Sequence, residues 1–178
     1  ALLLAASETL TEFAASLDII ATSVVSGSLP EITDRRGRLH LPVTEAAVEH
    51  RSGAASPPAL RLSTPHKALV TTPVPATLRY RGPLLDYGNV VIVEPQQGIL
   101  IVMAGLETVF GEIGQVLPGG SPVGWMPGPS LSESGLGDAH VSATEPGAGS
   151  QDTQTLYIEI REKNIPVDPL TWFAAIEG

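Results

Sequence analysis

Two apolar runs of largely β-branched residues, Val90–Val93 and Ile99–Met103, dominate the hydrophobic pattern of the chain. They are separated by Glu94–Gly98, which contains a proline and a glycine, so the stretch is typical of a β-hairpin. Both runs are continuously apolar rather than alternating, which is the pattern of strands covered on both faces. The pattern therefore predicts that this hairpin, within Asp86–Leu106, is the centre of a sheet.

Shorter β-type runs recur on both sides of the hairpin, with proline or glycine in the gaps between them. Several short strands at intervals of about 8–12 residues are typical of a small sandwich or barrel. We therefore predict a mainly β, antiparallel domain. The predicted strands outside the hairpin are Leu39–Val43, Leu60–Leu62, Ala68–Thr72, Ala76–Arg81 and Thr108–Phe110.

The last predicted strand, Thr155–Glu162, alternates apolar and polar side chains. Because successive side chains of a strand point to opposite faces, one set should enter the core and the other should face outward. The predicted core set is Leu156, Ile158 and Ile160, and the predicted outward set is Tyr157, Glu159 and Arg161. After a turn, the apolar segment Leu170–Phe173 is expected to close the end of the sheet.

The N-terminal part has a different, helical period. Apolar residues with 3-4 spacing form a heptad seam: Leu3, Ala6, Leu10, Phe13, Leu17, Ile20 and Val24. This predicts a helix of about 24 residues that ends before Pro30. Three interpretations stay open: a helix packed on its own domain, the end of a longer coiled coil, or a helix that occupies a functional groove. A helix this apolar must pack against something.

The net charge is −9, with 10 Lys and Arg against 19 Asp and Glu. Nucleic acid is therefore not an expected partner, since affinity for phosphate depends on clustered basic residues. Without cysteine, the chain has no disulfide and no thiolate that could act as a nucleophile or as a metal ligand. The 18 glycines and 16 prolines among 178 residues favour a turn-rich β protein over a helix bundle.

Composition also divides the chain. Residues 1–35 are interpreted as the helix and a charged linker, and residues 36–178 as the β domain. Pro127–Gln154 has few bulky apolar residues, so it is expected to be a mobile loop. The opening ALLLAA is too short to span a bilayer and lacks the basic flank of a signal peptide, and the initial alanine suggests a processed or excised chain.

Three segments resemble, in order, the LytM-type (lysostaphin-like) zinc metallopeptidases. They are LRLSTPHKALVTTPVPATLRYRGPLLDYGNVVIVE, ILIVMAGLETVFGEIGQVLPGGSPVGWM and LYIEIREKNIPVDPLTWF. The first and last segments look most like the EnvC-like subgroup, which comprises murein hydrolase activators. The resemblance covers about residues 39–178 and implies the antiparallel, barrel-sandwich type of β domain of that family.

The family's active members bind zinc through a His-x-x-x-Asp pair, a His-x-His on the last strand and a His after the central hairpin. Such a catalytic zinc needs three protein ligands and an open position for water. By position match, Pro57 and Arg61 replace the first pair, Thr155 and Tyr157 replace the His-x-His, and Gly105 replaces the last His. The resemblance thus implies the fold and its groove, but neither a metal, nor another cofactor, nor an enzyme.

In the EnvC-like subgroup the degenerate groove binds a cell-wall amidase, an N-acetylmuramoyl-L-alanine amidase, and displaces its autoinhibitory helix. The resemblance implies a groove floor that includes Arg61, Tyr87, Tyr157 and Arg161. It further implies a periplasmic protein that acts in peptidoglycan remodelling and daughter-cell separation. The FtsEX complex would recruit it through an upstream coiled coil, and its helix would mask the groove until then.

Three alternatives are weighed against this interpretation. An endopeptidase with unconventional ligands would bind zinc and cleave the wall alone, although the histidines show no metal-ligand spacing; they are His40, His50, His66 and His140. A scaffold could bind peptidoglycan without activating an amidase. A lipoyl-type carrier is disfavoured because neither Lys67 nor Lys163 lies in the required hairpin.

Overall fold

A computed structural model describes residues 10–14, 32–51, 58–129 and 153–174. Residues 10–14 are helical, and short 3-10 helices span Thr33–Arg35 and Pro169–Thr171. The strands are β1 Ala47–Arg51, β2 Leu60–Thr64, β3 Leu69–Thr71, β4 Ala76–Leu84, β5 Gly88–Gln96, β6 Ile99–Leu106, β7 Thr108–Val109, β8 Val116–Leu117, β9 Pro122–Trp125, β10 Gln154–Glu162 and β11 Ile165–Val167.

The strands form two antiparallel sheets. In the larger one the order is β1-β2-β10-β6-β5-β4-β8, with β11 paired to the end of β10. The smaller sheet has the order β3-β9-β7. The predicted hairpin is the β5–β6 pair, and it lies inside the larger sheet as expected. The last strand, β10, lies between β2 and β6, so residues far apart in sequence become neighbours there.

The larger sheet has two faces that are covered differently. The face named here the core face carries the predicted inward residues of β10, which pack with the smaller sheet in the main hydrophobic cluster. Trp172 and Phe173 from the C-terminal segment are buried in the same cluster, which confirms the predicted closure of this end. The core-face residues of β10 are Leu156, Ile158 and Ile160.

The opposite face, named here the second face, carries a separate apolar cluster. Residues of β5 and β6 form it together with Leu10 and Ala14 of the helical segment 10–14. Its strand members are Val90, Ile92, Leu100, Val102 and Ala104. Both faces of the hairpin are thus covered, which is why its strands contain no alternating polar positions.

The predicted strand Leu39–Val43 is wrong. Only Leu39 pairs there, in an isolated parallel bridge to Phe173, and the strand of this region is instead β1, a few residues later. Pro42 explains part of the difference, since it has no amide hydrogen to donate to a ladder. Its carbonyl oxygen instead accepts a hydrogen bond from the amide of Thr71 at 2.9 Å.

Several predictions lie outside the described residues. These are the heptad seam beyond Leu10 and Phe13, the position of Pro57, and most of the loop Pro127–Gln154. The division at residue 35 also stays a prediction. Within the ranges that are described, no helix is long and apolar enough to cross a membrane.

Candidate functional site on the second face

The second face brings together residues from β2, β6 and β10. Tyr157 on β10 lies directly opposite Arg61 on β2 and Ala104 on β6. Cross-strand partners in an antiparallel pair project to the same side, so Arg61 and Tyr157 share this face. Arg61 is exposed and Tyr157 is half-buried. Two of the residues predicted to form a binding surface are therefore in contact range on adjacent strands.

The positions that would carry zinc ligands in the resembled family also lie together here. Thr155 is two residues before Tyr157 on β10 and exposed, and Gly105 lies against it from the end of β6. Gly105 has φ +98°, and a Cβ placed on it would lie 2.8 Å from the Thr155 carbonyl oxygen. A histidine at this position would therefore be strained and would collide with the neighbouring strand.

These residues do not fit a zinc ion. Arg61, Gly105 and Thr155 offer no imidazole, thiolate or carboxylate, which are the ligands that zinc uses in proteins. Across the described ranges, no three His, Cys, Asp or Glu side chains lie close enough to hold a metal ion. Pro57 lies outside those ranges.

Two tyrosines form an aromatic pair beside Arg61. Tyr87 lies in the turn between β4 and β5, and its ring centroid is 5.6 Å from that of Tyr157, at an angle of 56°. Burial raises the pKa of both phenols, and the nearby Glu159 carboxylate raises it further. Both tyrosines are therefore neutral near pH 7, with hydroxyl groups that can donate hydrogen bonds.

The rest of the predicted outward set is buried, which corrects the prediction for Glu159 and Arg161. Their exposed fractions are 2% and 1%. The Arg161 Nη1 donates to Glu159 Oε1, and the Tyr157 hydroxyl donates to Glu159 Oε2 at 2.8 Å. Desolvation raises the pKa of Glu159, while Arg161 and the Tyr157 hydrogen bond oppose this shift. The alternation of side chains along β10 was predicted correctly. The prediction did not include the segment that covers its polar side.

The helical segment 10–14 covers this polar side. Arg161 Nη2 donates to the hydroxyl oxygen of Thr11 at 2.7 Å, and Asn164 Nδ2 donates to the Thr11 carbonyl oxygen at 3.3 Å. Phe13 packs edge-on against Tyr80 at 4.6 Å between ring centroids. The segment thus buries the Arg161 end of the second face, while Arg61 and Thr155 at the other end stay exposed.

Sequence reasoning named Arg61, Tyr87, Tyr157 and Arg161, and the structure places all four on or beside the second face. Sequence reasoning did not indicate that Glu159, Asn164 and Thr11 take part in the hydrogen bonds of this site. Opposite charges at i and i+2 on one strand, as in Glu159 and Arg161, share a face by geometry. That spacing is the one signal that could have indicated an ion pair.

Comparison with known proteins gives the fold and no closer relationship. No family model and no curated protein matches the chain. Among solved structures, a Pseudomonas aeruginosa protein assigned to peptidase family M23 is similar with a TM-score of 0.62 at 18% identity. The match covers 96% of this chain and 63% of that protein, so the chain spans less than two thirds of its length.

Two further structures share the fold. Lysostaphin has a TM-score of 0.53 at 10% identity, over 80% of this chain and 58% of lysostaphin. A chain from the SpoIIQ–SpoIIIAH pore-forming complex has a TM-score of 0.53 at 17% identity, over 78% of this chain and 92% of that one. The chain therefore has the lysostaphin-like, or LytM, β fold that was predicted from its sequence.

Proposed function

We propose that this protein is a non-catalytic activator of cell-wall amidases and that it binds the amidase through the second face of its LytM-like domain. The observation that carries the proposal is the set of residues at the family's ligand positions. Arg61 and Tyr157 are cross-strand partners, and Gly105 lies against Thr155. A guanidinium and a phenol at this place oppose metal binding, yet both are residue types enriched in binding hot spots.

The packing of the segment 10–14 supports a peptide-binding role. A helical turn already lies on the second face, with Leu10 and Ala14 fully buried and Phe13 against Tyr80. Grooves that accept an amphipathic helix are a recurring mode of peptide recognition. A partner helix could use the same apolar surface and reach the exposed Arg61 and the half-buried Tyr157 beyond it.

In this mechanism the segment 10–14 restrains the protein. It hides Arg161 and the apolar end of the face, so an amidase helix must displace it before binding fully. In competition of this kind, the apparent affinity for the amidase equals the intrinsic affinity multiplied by the fraction of molecules in which the segment is released. Recruitment by FtsEX through an upstream coiled coil, periplasmic localisation and contact with peptidoglycan belong to the same proposal.

The test is dye release from labelled peptidoglycan by the protein alone, by a candidate amidase alone and by both. We expect stimulation only in the mixture. Tyr157→Ala should abolish it and Arg61→Ala should reduce it at least tenfold, whereas the exposed and distant Arg35→Ala should act like wild type. Leu10→Ala, which loosens the segment, should increase stimulation.

Other outcomes would overturn the proposal. Release by the protein alone, sensitive to a zinc chelator, would indicate an endopeptidase. Binding to peptidoglycan without stimulation of any periplasmic amidase would instead indicate a scaffold.

A further inference from the structure

The guanidinium of Arg161 is only partly used by its own chain. Nη1 donates to Glu159, and Nη2 donates to Thr11 Oγ1 at 2.7 Å and to the Asn164 carbonyl oxygen at 3.4 Å. The Nε–H group is buried and has no hydrogen-bond partner among the described residues. Buried polar groups are nearly always paired, so an unpaired donor inside a candidate binding surface indicates a missing acceptor.

The unpaired donor lies beside a paired one. In a planar guanidinium, Nε–H and one hydrogen of Nη2 are parallel, and together they form the edge that takes both oxygens of a carboxylate. Thr11 gives Nη2 a single hydroxyl oxygen, and the Nε end of the edge has no acceptor among the described residues. The segment 10–14 therefore fills only half of a bidentate site.

Glu159 does not supply the missing oxygen. One of its carboxylate oxygens accepts from Arg161 Nη1 and the other accepts from the Tyr157 hydroxyl. Both oxygens of Glu159 therefore already accept hydrogen bonds from donors other than Nε. Among the remaining charges near this face, Arg61 is positive, and Asp86 is negative but exposed in the Tyr87 turn.

We propose that the second face recognises a protein helix that carries Asp or Glu at the place now taken by Thr11. This rests on the proposed function, in which a partner helix replaces the segment 10–14, and it names the chemistry of that helix. The partner's carboxylate would accept from Nε and Nη2 of Arg161. A large apolar residue would precede it, as Leu10 does, and a small residue would follow three positions later, as Ala14 does.

This pattern gives the partner an advantage over the restraining segment. Both would bury similar apolar side chains, but only the partner would pair both donors of the guanidinium edge. Bidentate pairs of arginine with carboxylate are markedly stronger than single neutral hydrogen bonds. The segment 10–14 therefore binds Arg161 more weakly than the partner's carboxylate would. This difference allows the partner to displace the segment without any other change in the domain.

The first test is intramolecular and uses the full chain. Thr11→Asp should raise the midpoint of thermal unfolding above that of Thr11→Asn, which has the same shape without the charge. Arg161→Lys keeps a positive charge but lacks the two parallel donors, so it should remove the difference between Asp and Asn. Arg35→Lys, an exposed arginine, should leave the difference unchanged.

The second test measures binding in trans. Fluorescent peptides with the sequence of residues 1–24 and Asp, Asn or Thr at position 11 are titrated with the full wild-type chain by anisotropy. We expect the Asp peptide to bind about tenfold tighter than the Asn peptide, as for one added charge-assisted hydrogen bond. Competition from the chain's own segment reduces all three affinities by the same factor, so it does not alter the ratio.

The proposal is overturned if Asp and Asn differ by less than twofold in binding, or if the Asp peptide does not bind. Because the peptide comparison uses the wild-type chain, it stands even if Arg161→Lys fails to fold. A tenfold ratio without amidase stimulation would reject the proposed function but keep an acid-recognising groove. A further outcome is that the Asp peptide binds tightly and yet is displaced by free, acetylated peptides from the cell wall. That result would assign the site to peptidoglycan carboxylates and reject a protein helix.

Discussion

Near Glu159 and Arg161, strand β10 is buried on both faces, but by different means. Leu156, Ile158 and Ile160 lie in the main core and need only close packing. On the other side, Glu159 and Arg161 form an ion pair that the helical segment 10–14 covers. Apolar burial is non-directional, whereas a buried charge is stable only while its hydrogen-bond partners are in place. The core face therefore needs no specific partner, whereas the proposed function requires that the cover of the second face be exchangeable.

The largest effect is expected on the core side. Trp172→Ala should lower the free energy of unfolding by about 3–5 kcal/mol, since it removes a fully buried indole from the main cluster. The matched control is Trp125→Ala, because Trp125 is 39% exposed and should cost about 1 kcal/mol. Urea unfolding measures both. Equal losses would contradict the assignment of the core to this face.

A smaller loss is expected from the ion pair on the second face. Glu159→Ala should cost about 2–3 kcal/mol, below the usual range for breaking a buried pair, because Arg161 can regain water when the segment 10–14 is released. Glu112→Ala, at an exposed carboxylate, should change little. Protease susceptibility near residue 11 should rise in Glu159→Ala alone. A loss of stability without that rise would mean that the cover is not exchangeable.

Gly105 tests how tightly the exposed end of the second face is built. Gly105→Ala should cost about 2 kcal/mol, from its positive φ and its contact with Thr155. Gly98→Ala has φ +84° with no atom within 4 Å of the added Cβ, so it should cost about 1 kcal/mol. The difference between the two, measured by urea unfolding, isolates the contact between β6 and β10. No difference would contradict the close approach.

The smallest effect is the pH dependence contributed by Glu159. Its pKa in the folded protein is raised by burial above the ordinary value of 4.5, so the folded state keeps this proton to higher pH than the unfolded chain does. Between those two pKa values the unfolded chain ionises first, and stability falls as pH rises. Wild type should show this decline relative to Glu159→Gln in unfolding curves from pH 4 to 8. A relative gain of stability with pH would mean that Arg161 outweighs desolvation.

Much of the fold follows from local pattern. The continuous apolar runs predicted a central hairpin, and β5 and β6 are central and covered on both faces. Leu39–Val43 was predicted wrongly because its partner, Phe173, is more than 130 residues away and supplies a single bridge. Sequence pattern reports which residues prefer an extended chain, but not whether a distant strand is available to pair with them.

The candidate site shows the same division. The resemblance named Arg61, Tyr87, Tyr157 and Arg161, which the structure places on or beside one face, and their role as a binding groove stays a prediction. It gave no indication that Glu159 joins them, or that Thr11 contacts Arg161 across 150 positions of sequence. Contacts of this kind have no local signature, because any turn of the N-terminal heptad pattern could have supplied the covering residues.

The sequence alone determined the central strands of the larger sheet and the two faces of β10, because the alternation of side chains is fixed by the geometry of a strand. Only the tertiary structure decided which polar face is buried, and therefore which charges are paired. Burial depends on where a distant segment packs, and the pairing of Arg161 depends on which oxygen that segment brings within hydrogen-bond distance. The half-filled guanidinium edge, from which we infer the partner's chemistry, exists only in three dimensions.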